Sequence, residues 1–231
     1  MKLIALDTSS LACSVALQLD DVVIERYEEQ PREHTRLLLP MIQSVLGEAG
    51  VALTDLDAIV LGNGPGSFIG MRIAASVAQG LAFGTGLDIV PVSSLAAVAA
   101  QVFAEHDAAE VVVAQDARMH EVYLGIYRLD DRNLPAERMP ERLQGPAPIA
   151  EVQGESAGPR IAAGLGWQQY PELLAANQEF ITAVTETLHP RANYLLPLGA
   201  AGLERGLNVR PQEIVPAYLR QKVAEKPAQA P

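Results

Sequence analysis

The stretch MKLIALDTSSLACSVALQLDDVVIERY, residues 1–27, decides the fold. Residues 3–7, 12–19 and 22–27 form three short runs rich in apolar and β-branched side chains, which is the composition of β-strands. The pair Asp20-Asp21 separates the last two runs and suits a tight turn. The stretch therefore predicts an antiparallel meander.

Helical and strand-like patterns alternate after the meander. Spacings of three and four residues between Leu38, Ile42 and Val45 predict a helix over 35–49. The elements expected next are a strand at 56–61, a helix at 69–83, a strand at 89–92 and a helix that runs to His106. The order βββαβαβα is typical of a ribonuclease-H-like lobe, which is a mixed sheet with flanking helices.

The same theme restarts beyond residue 106. Residues 111–116 and 121–129 predict a hairpin, and 191–203 predict a final helix. Residues 130–160 are rich in proline and are expected to be irregular connection. We therefore expect an α/β fold with two ribonuclease-H-like lobes, the second one reduced. The expected domains are 1–106, 107–220 and a flexible tail at 221–231.

The charge balance restricts the partners of the chain. Its 231 residues carry 17 Lys and Arg against 28 Asp and Glu, a formal net charge of −11 and a pI near 4.8. This is the wrong sign for a protein that holds phosphate backbones by itself. We expect any nucleic acid to be held by a partner.

Cysteine usage and hydropathy indicate the compartment. The single Cys13 cannot form an internal disulfide, and it lies in an apolar run where a thiol behaves as a small hydrophobe. Asp7 follows four apolar residues, too early for the hydrophobic region of a signal peptide, about 7–15 residues long. No apolar run approaches the roughly 20 residues of a membrane helix. A cytoplasmic protein without membrane contact is expected.

Two loops are candidates for a phosphate site. Asp7 and Thr8 follow the first strand, and Gly64, Gly66 and Ser67 lie between a strand and a helix, where amides and the helix dipole favour an anion. The second loop matches neither G-x-G-x-x-G nor the P-loop. The alternative is structural: the polar side chains satisfy backbone donors of their own turn, and the glycines allow close packing. No cofactor is therefore assigned.

The sequence shows no legible catalytic set. His34, His106, His120 and His189 are scattered one to a segment, with no H-x-x-x-H pair and no cysteine pair. There is no G-x-S-x-G elbow for a serine nucleophile. We expect neither catalytic residues nor a metal site.

Two helices carry more apolar surface than one sheet can cover. Only Arg72, Ser76 and Gln79 are polar within 69–83, and their spacing places them on one narrow stripe. A helix on a sheet buries an arc of about 100° or slightly more. Either this helix and the one at 35–49 cover each other, or they bind a partner. The residues expected at such an interface are Leu37, Pro40, Met41, Met71, Arg72, Ala75 and Gln79.

Several motifs follow one another along nearly the whole chain. They are Ala5-Leu6-Asp7-Thr8-Ser9, Pro31-Arg32-Glu33-His34-Thr35, Gly64-Pro65-Gly66-Ser67-Phe68, Asp116-Ala117-Arg118-Met119 and Pro216-Ala217-Tyr218-Leu219-Arg220. Together they resemble the bacterial TsaB family, relatives of TsaD within the actin-like ATPase (ASKHA) superfamily. Two positions depart from the family pattern, because Ile69 replaces the usual Thr and His120 replaces a frequent Gly.

The resemblance implies a non-catalytic subunit that binds and supports TsaD. TsaD would transfer the threonylcarbamoyl group, forming N6-threonylcarbamoyladenosine at position 37 of tRNAs that read codons beginning with A. TsaE would join the complex, tRNA would be reached only through it, and the isolated protein could pair as a homodimer. The alternative is an active enzyme, either an actin-like kinase or a metallopeptidase-like protein.

Overall fold

The first sheet contains the meander expected from residues 1–27. The computed structural model describes residues 1–154 and 157–220. Strands β1 (Lys2–Asp7), β2 (Cys13–Leu19) and β3 (Val22–Glu28) pair antiparallel, and β4 (Ala58–Gly62) and β5 (Ile89–Val92) extend the sheet in parallel. The order β3-β2-β1-β4-β5 places β1 at the centre. The expected meander and crossovers are confirmed.

Helices α1 (His34–Ala49) and α2 (Phe68–Thr85) cover one face of this sheet. Leu38, Ile42 and Val45 form the buried stripe of α1, as their spacing predicts. The two helices follow β3 and β4, which run in the same direction as β1. Their N-termini therefore lie at the edge of the sheet where β1 ends.

The second sheet corrects the expectation for residues 130–160. Its strands are β6 (Glu110–Asp116), β7 (Val122–Leu129), β8 (Pro135–Gln144), β9 (Arg160–Ala163) and β10 (Ala183–Val184), in the order β10-β9-β6-β7-β8. The hairpin of β6 and β7 is confirmed, but β8 falls within the stretch predicted to be irregular. As an edge strand β8 can contain prolines, whose missing N–H groups would break a central strand. Because β8 lies at the edge of the sheet and none of its side chains is fully buried, it also lacks the alternation of apolar residues on which strand prediction depends.

Two helices pack on the sheet of the other lobe, not of the lobe in which the sequence places them. Helix α3 (Ser94–Glu105), expected in the first lobe, packs on the second sheet, where Leu95 and Val98 meet Val111 and Val113. Helix α6 (Ala192–Glu204), expected in the second lobe, covers the other face of the first sheet. The predicted boundary at residue 106 separates the sheets but not the packing units, because a helix can cross to whichever sheet offers apolar surface.

Two short helices, α4 (Leu165–Gln169) and α5 (Pro171–Asn177), cover the remaining face of the second sheet and were not predicted. Beyond α6, residues 211–220 return along α2 towards the second lobe. The tail predicted at 221–231 lies outside the described residues. Among the helices that are described, none has the length and apolar character needed to span a membrane.

Candidate functional site

Asp7, at the end of β1, is buried and bonded within the fold. Its Oδ1 accepts hydrogen bonds from the N–H and hydroxyl of Ser9, at 2.7 and 2.8 Å. Its Oδ2 accepts one from the Ser94 hydroxyl at 2.6 Å. Burial raises the pKa of the Asp7 carboxyl, and the bonds from Ser94 and Ser9 act against this shift. Both carboxylate oxygens therefore accept hydrogen bonds from the protein, which agrees with a structural role for Asp7 and not with a phosphate site.

The glycine loop packs directly on the backbone that follows β1. The N–H of Ser67 donates to the Ser9 carbonyl at 2.6 Å, and the Thr8 hydroxyl donates to the Gly70 carbonyl at 2.7 Å. A Cβ on Gly66 would lie 2.2 Å from the Ser9 oxygen, and one on Gly70 would lie 1.9 Å from the Thr8 oxygen. Only glycine permits this approach.

The candidate phosphate residues therefore come together, but they contact one another. The N–H of Gly64 donates to the Ser94 hydroxyl at 3.1 Å, which links the loop to the Asp7 carboxylate. Ser67 caps α2 by accepting a hydrogen bond from Gly70 N at 3.2 Å. We call this arrangement of residues 7–9, 64–70 and Ser94 the closed corner.

A cleft of about 850 Å³ opens between the two lobes beside the closed corner. Its volume lies in the range of small-molecule pockets, roughly 300–1,000 Å³. The first lobe contributes Arg32, His34, Thr35 and the start of α2, and the second lobe contributes Asp116, Arg118 and Tyr123. Charged groups from both lobes thus line one space.

The loop between β6 and β7 has a strained backbone at the rim of this cleft. Its residues Arg118, Met119 and His120 lie in the left-handed region, with φ of 61°, 55° and 59°. For a non-glycine residue this conformation costs about 1–2 kcal/mol, and such strain clusters at functional sites. His120, one of the two departures noted above, thus adopts a conformation in which glycine is unstrained.

His120 is held by the second lobe. Its ring meets Tyr170 edge to face, with centroids 5.3 Å apart, and its Nε2 lies 3.1 Å from the Glu172 carboxylate. Tyr170 in turn donates its hydroxyl to Asp116 at 2.8 Å. These contacts fix the loop in its strained form.

The C-terminal segment fixes the same loop from the other side. The Arg220 guanidinium donates to the carbonyls of Ala117 and Arg118, at 2.9 and 3.3 Å. It also pairs with the Glu121 carboxylate at 2.5 Å. The last motif of the sequence therefore ties the end of the described chain to the second lobe.

Tyr218, two residues earlier, joins the segment to the first turn of α2. Its hydroxyl accepts a hydrogen bond from Arg72 Nε at 3.0 Å. The Arg72 guanidinium also lies 3.7 Å from the centroid of the Phe68 ring, a cation–π contact. Residues 211–220 thus bridge the lobes across the mouth of the cleft.

The outer surface of α1 and α2 differs from the one predicted. Met41, Met71 and Ala75 are 6%, 3% and 5% exposed. Met41 and Ala75 pack into the core beneath the two helices, and Met71 packs beside Gly64 at the wall of the cleft. These three side chains are therefore buried within the chain itself, and the partner interface stays a prediction. Leu37 is half-buried and Pro40 is exposed.

Part of the surplus apolar surface of α2 is covered by the chain itself. The Gln79 amide donates to the Pro211 carbonyl at 2.8 Å, and Arg72 contacts Tyr218 as described. From the sequence we expected the two helices either to cover each other or to bind a partner, and cover by the C-terminal segment is a third arrangement. Four large apolar side chains of α1 and α2 still face solvent: Leu39, Phe68, Ile69 and Phe83.

His34 and His189 both line the wall of the cleft, although they are far apart in sequence. Both are buried, and each has an Nδ1 atom with no hydrogen-bond partner in the described structure. Burial lowers the pKa of both imidazoles. Across residues 1–154 and 157–220, no three His, Cys, Asp or Glu side chains gather as metal ligands.

The cleft is the part of the site that sequence reasoning missed. Arg32 and Arg118 appeared only inside motifs that carried the resemblance, and His34 and His189 were named as scattered histidines without a common site. No periodicity connects residues that meet across two lobes. One feature of the sequence could have indicated the left-handed loop: His120 stands where the family pattern frequently has glycine, the residue that adopts this conformation without strain.

The sequence matches a known family over most of its length. Residues 23–228 match the family model described as TsaD, tRNA N6-adenosine threonylcarbamoyltransferase. The tRNA threonylcarbamoyladenosine biosynthesis protein TsaB of Escherichia coli is 38% identical, covering 98% of this chain and 97% of its own. The protein of the same name from Haemophilus influenzae is 38% identical, covering 98% of this chain and 96% of its own.

A solved structure is similar to the whole fold. YeaZ from Pseudomonas aeruginosa is 39% identical, with a TM-score of 0.84, and covers 94% of this chain and 99% of its own. The two-lobed α/β architecture is therefore shared by an experimentally determined relative.

Proposed function

The chain belongs to the TsaB family of tRNA threonylcarbamoyladenosine biosynthesis proteins, and on that premise we propose that it is a non-catalytic subunit that binds and supports TsaD. TsaD performs the threonylcarbamoyl transfer to tRNA, and TsaE joins the same complex. The cytoplasm is the proposed location, consistent with a single buried and unpaired Cys13.

The observation that carries this proposal is the closed corner. An actin-like enzyme would need an open carboxylate and free loop amides at this place, whereas both oxygens of Asp7 accept bonds from Ser9 and Ser94. The glycines of the loop press on the backbone of Thr8 and Ser9. The corner supports the fold instead of offering room for a phosphate.

The net charge of −11 supports a partner that carries the tRNA. A protein that binds tRNA by itself places Lys and Arg along the phosphate path. An acidic subunit is better suited to act on the enzyme that holds the RNA.

The outer face of α1 and α2 is the proposed surface for TsaD. It presents Leu39, Ile69 and Phe83, which are 46%, 70% and 84% exposed. A Cβ on Gly80 or Gly84 would have no atom within 4 Å, so the middle of α2 leaves room for a partner to approach its backbone. In the absence of TsaD, the same face could pair two copies in a homodimer.

Reconstitution tests the proposal. Purified TsaD and TsaE would receive ATP, threonylcarbamoyl adenylate and tRNA, with and without this protein. We expect transfer to depend on the protein, and we expect the protein without TsaD to transfer nothing. Transfer that is equal with and without it would contradict the proposal, and ATP turnover by the isolated protein would favour the kinase alternative.

A further inference from the structure

Two neighbouring serines at the start of α3 bond to carboxylates of different lobes. Ser94 donates its hydroxyl to Asp7 of the first sheet at 2.6 Å, within the closed corner. Ser93 donates its hydroxyl to Glu141, which lies in β8 of the second sheet. The chain passes at this point from β5 of the first sheet to the helix that packs on the second. The two serines therefore connect the lobes through their side chains.

The connection to the first lobe is buried and made by several hydrogen bonds. Ser94 and Asp7 are 2% and 1% exposed. The N–H of Ser94 donates to the Gly64 carbonyl at 2.8 Å, and the N–H of Gly64 donates to the Ser94 hydroxyl at 3.1 Å. Because backbone and side chain of Ser94 are both bonded to the first lobe, this side of the connection is held firmly.

The connection to the second lobe depends on one carboxylate oxygen. Ser93 is the N-cap of α3, and its hydroxyl oxygen accepts the N–H groups of Leu95 and Ala96, each at 3.1 Å. Its single hydroxyl proton is donated to Glu141 Oε1. The Tyr127 hydroxyl of β7 donates to the same oxygen. Glu141 thus joins α3 to two strands of the second sheet.

The surroundings of Glu141 oppose a negative charge on it. Burial raises the pKa of its carboxyl to about 7; the hydrogen bonds from Ser93 and Tyr127 act against this shift, and the Glu137 carboxylate of the same strand adds to it. Arg142, the next residue of β8, is paired with a different carboxylate at 2.7 Å. The proton on Glu141 is therefore what makes this contact favourable near neutral pH.

Strand β8 is the element that can separate from α3 with little loss of packing. It lies at the edge of the second sheet, where only β7 pairs with it. Each of its side chains is exposed or half-buried. Segments with few buried apolar contacts open at a lower free energy than the whole fold. A small movement of β8 would place the Glu141 carboxylate in water.

We propose that Ser93, Tyr127 and Glu141 form a pH-sensitive latch between α3 and the edge of the second sheet. The latch is closed while Glu141 holds its proton. When the proton passes to water, the carboxylate gains more from hydration than from two hydroxyl groups, and β8 separates from the start of α3. Ser94 and Asp7 do not bond to Glu141, so the connection to the first lobe is kept.

The direction of the pH dependence follows from proton binding. In the closed latch Glu141 releases its proton with a pKa of about 7, and in the open latch the pKa returns to the ordinary 4.5. The stability of the closed latch is complete below pH 4.5 and is lost as the pH rises through 7. Between pH 6 and pH 8, these two values imply that the opening equilibrium rises about tenfold.

Amide hydrogen exchange of the ¹⁵N-labelled full chain tests the latch. The reporters are the N–H groups of Leu95 and Ala96, which donate to the Ser93 hydroxyl oxygen. Their protection factors, which compare exchange with unstructured peptides at the same pH, should fall about tenfold from pH 6 to pH 8. They should also be at least about tenfold lower than that of Ala5 in the central strand β1, because the latch opens without global unfolding.

A pair of matched variants assigns the pH dependence to one residue. Glu141→Gln keeps an acceptor for both hydroxyl groups but cannot ionise, so the protection of Leu95 and Ala96 should be nearly equal at the two pH values. Glu137→Gln is the control, because it makes the same change on the same strand at a carboxyl whose pKa burial also raises. This control should retain most of the tenfold fall.

Three results would overturn the latch. The first is protection of Leu95 and Ala96 as strong as that of Ala5, which would mean that they open only when the whole fold does. The second is unchanged protection between pH 6 and pH 8 in the wild-type protein. The third is a fall that Glu137→Gln abolishes and Glu141→Gln retains. The measurement uses no TsaD, so its failure would leave the proposed partnership untouched.

Discussion

The proposed TsaD surface can be tested at Gly80, where a new side chain should separate binding from folding. Gly80 lies inside α2 on its exposed side, and a Cβ there would have no atom within 4 Å. A glycine in a helix interior costs about 0.5–1 kcal/mol relative to alanine, and arginine is nearly as good a helix former as alanine. Gly80→Arg should therefore stabilise the isolated protein by roughly 0.5–1 kcal/mol.

In a protein of this size, 1 kcal/mol corresponds to about 2–4 °C in Tm. Thermal unfolding of the Gly80→Arg variant should thus show an unchanged or slightly raised Tm. Binding should respond in the opposite direction, because an unpaired guanidinium would be buried against the partner. Such a charge costs about 3 kcal/mol or more, which corresponds to roughly a hundredfold weaker binding.

Isothermal titration of TsaD into the two proteins measures this loss. Ala175→Arg is the matched control, since Ala175 is an exposed position of helix α5 in the second lobe and receives the same side chain. The control should bind as wild type does. If Gly80→Arg also binds TsaD with wild-type affinity, the outer face of α2 is not the interface.

Two further predictions concern groups that link strands and lobes. Glu110 is fully buried and pairs with Arg160 at 2.7 Å, so Glu110→Ala leaves a buried guanidinium without its carboxylate. The free energy of unfolding, measured in urea, should fall by about 3–5 kcal/mol. A fall of less than about 1 kcal/mol would refute this role. The second concerns Glu141, which is hydrogen-bonded to Ser93 and Tyr127 and whose pKa burial raises from 4.5 to about 7. Because the folded state holds the proton more tightly, this group's contribution to stability is complete below pH 4.5 and is lost as the pH rises through 7, up to about 3 kcal/mol. Unfolding free energies at pH 5 and 8 should show a smaller drop for Glu141→Gln than for wild type, and equal drops would show that Glu141 does not titrate in this way.

The elements that the sequence predicts well are those whose partners are close in the chain. The meander, the helices α1, α2 and α3 and the hairpin of β6 and β7 each have a period of 2 or 3.6 that local packing imposes. Strand β8 has no such period, because each of its side chains is either exposed or half-buried and neither face forms an apolar stripe. Periodicity cannot detect an edge strand that has no fully buried face.

The periodicity of apolar residues does not predict which distant segments of the chain pack together. The narrow polar stripe of α2 indicates surplus apolar surface, but it does not show that residues 211–218 cover part of it. Met41, Met71 and Ala75 were assigned to the interface because a spacing defines a stripe without fixing which stripe faces the sheet. Helix α3 packs on the second sheet and helix α6 on the first. This placement depends on contacts between distant residues, so the sequence of neither helix predicts it.

The site illustrates the same limit. The structural alternative for Asp7 required only Ser9, its neighbour in the turn, so it could be stated from the sequence. Thr8 does not fit that alternative, because its hydroxyl donates to the carbonyl of Gly70, which is distant in sequence. Ser94, which completes the Asp7 site, lies 87 residues away and could not be paired with it. The cleft, whose walls come from both lobes, became visible only with the fold.

Threonylcarbamoyl transfer supported by Asp7→Asn is the most direct test of the central claim, that this subunit acts without an active site of its own. The amide keeps an acceptor for the N–H and hydroxyl of Ser9, and the Ser94 oxygen can accept from the new NH₂ group, so the fold should be retained. The measurement uses TsaD, TsaE, ATP, threonylcarbamoyl adenylate and tRNA with either form of the protein. The account predicts equal rates of transfer; a variant that binds TsaD normally but fails to support transfer would show that the Asp7 carboxylate takes part in the chemistry.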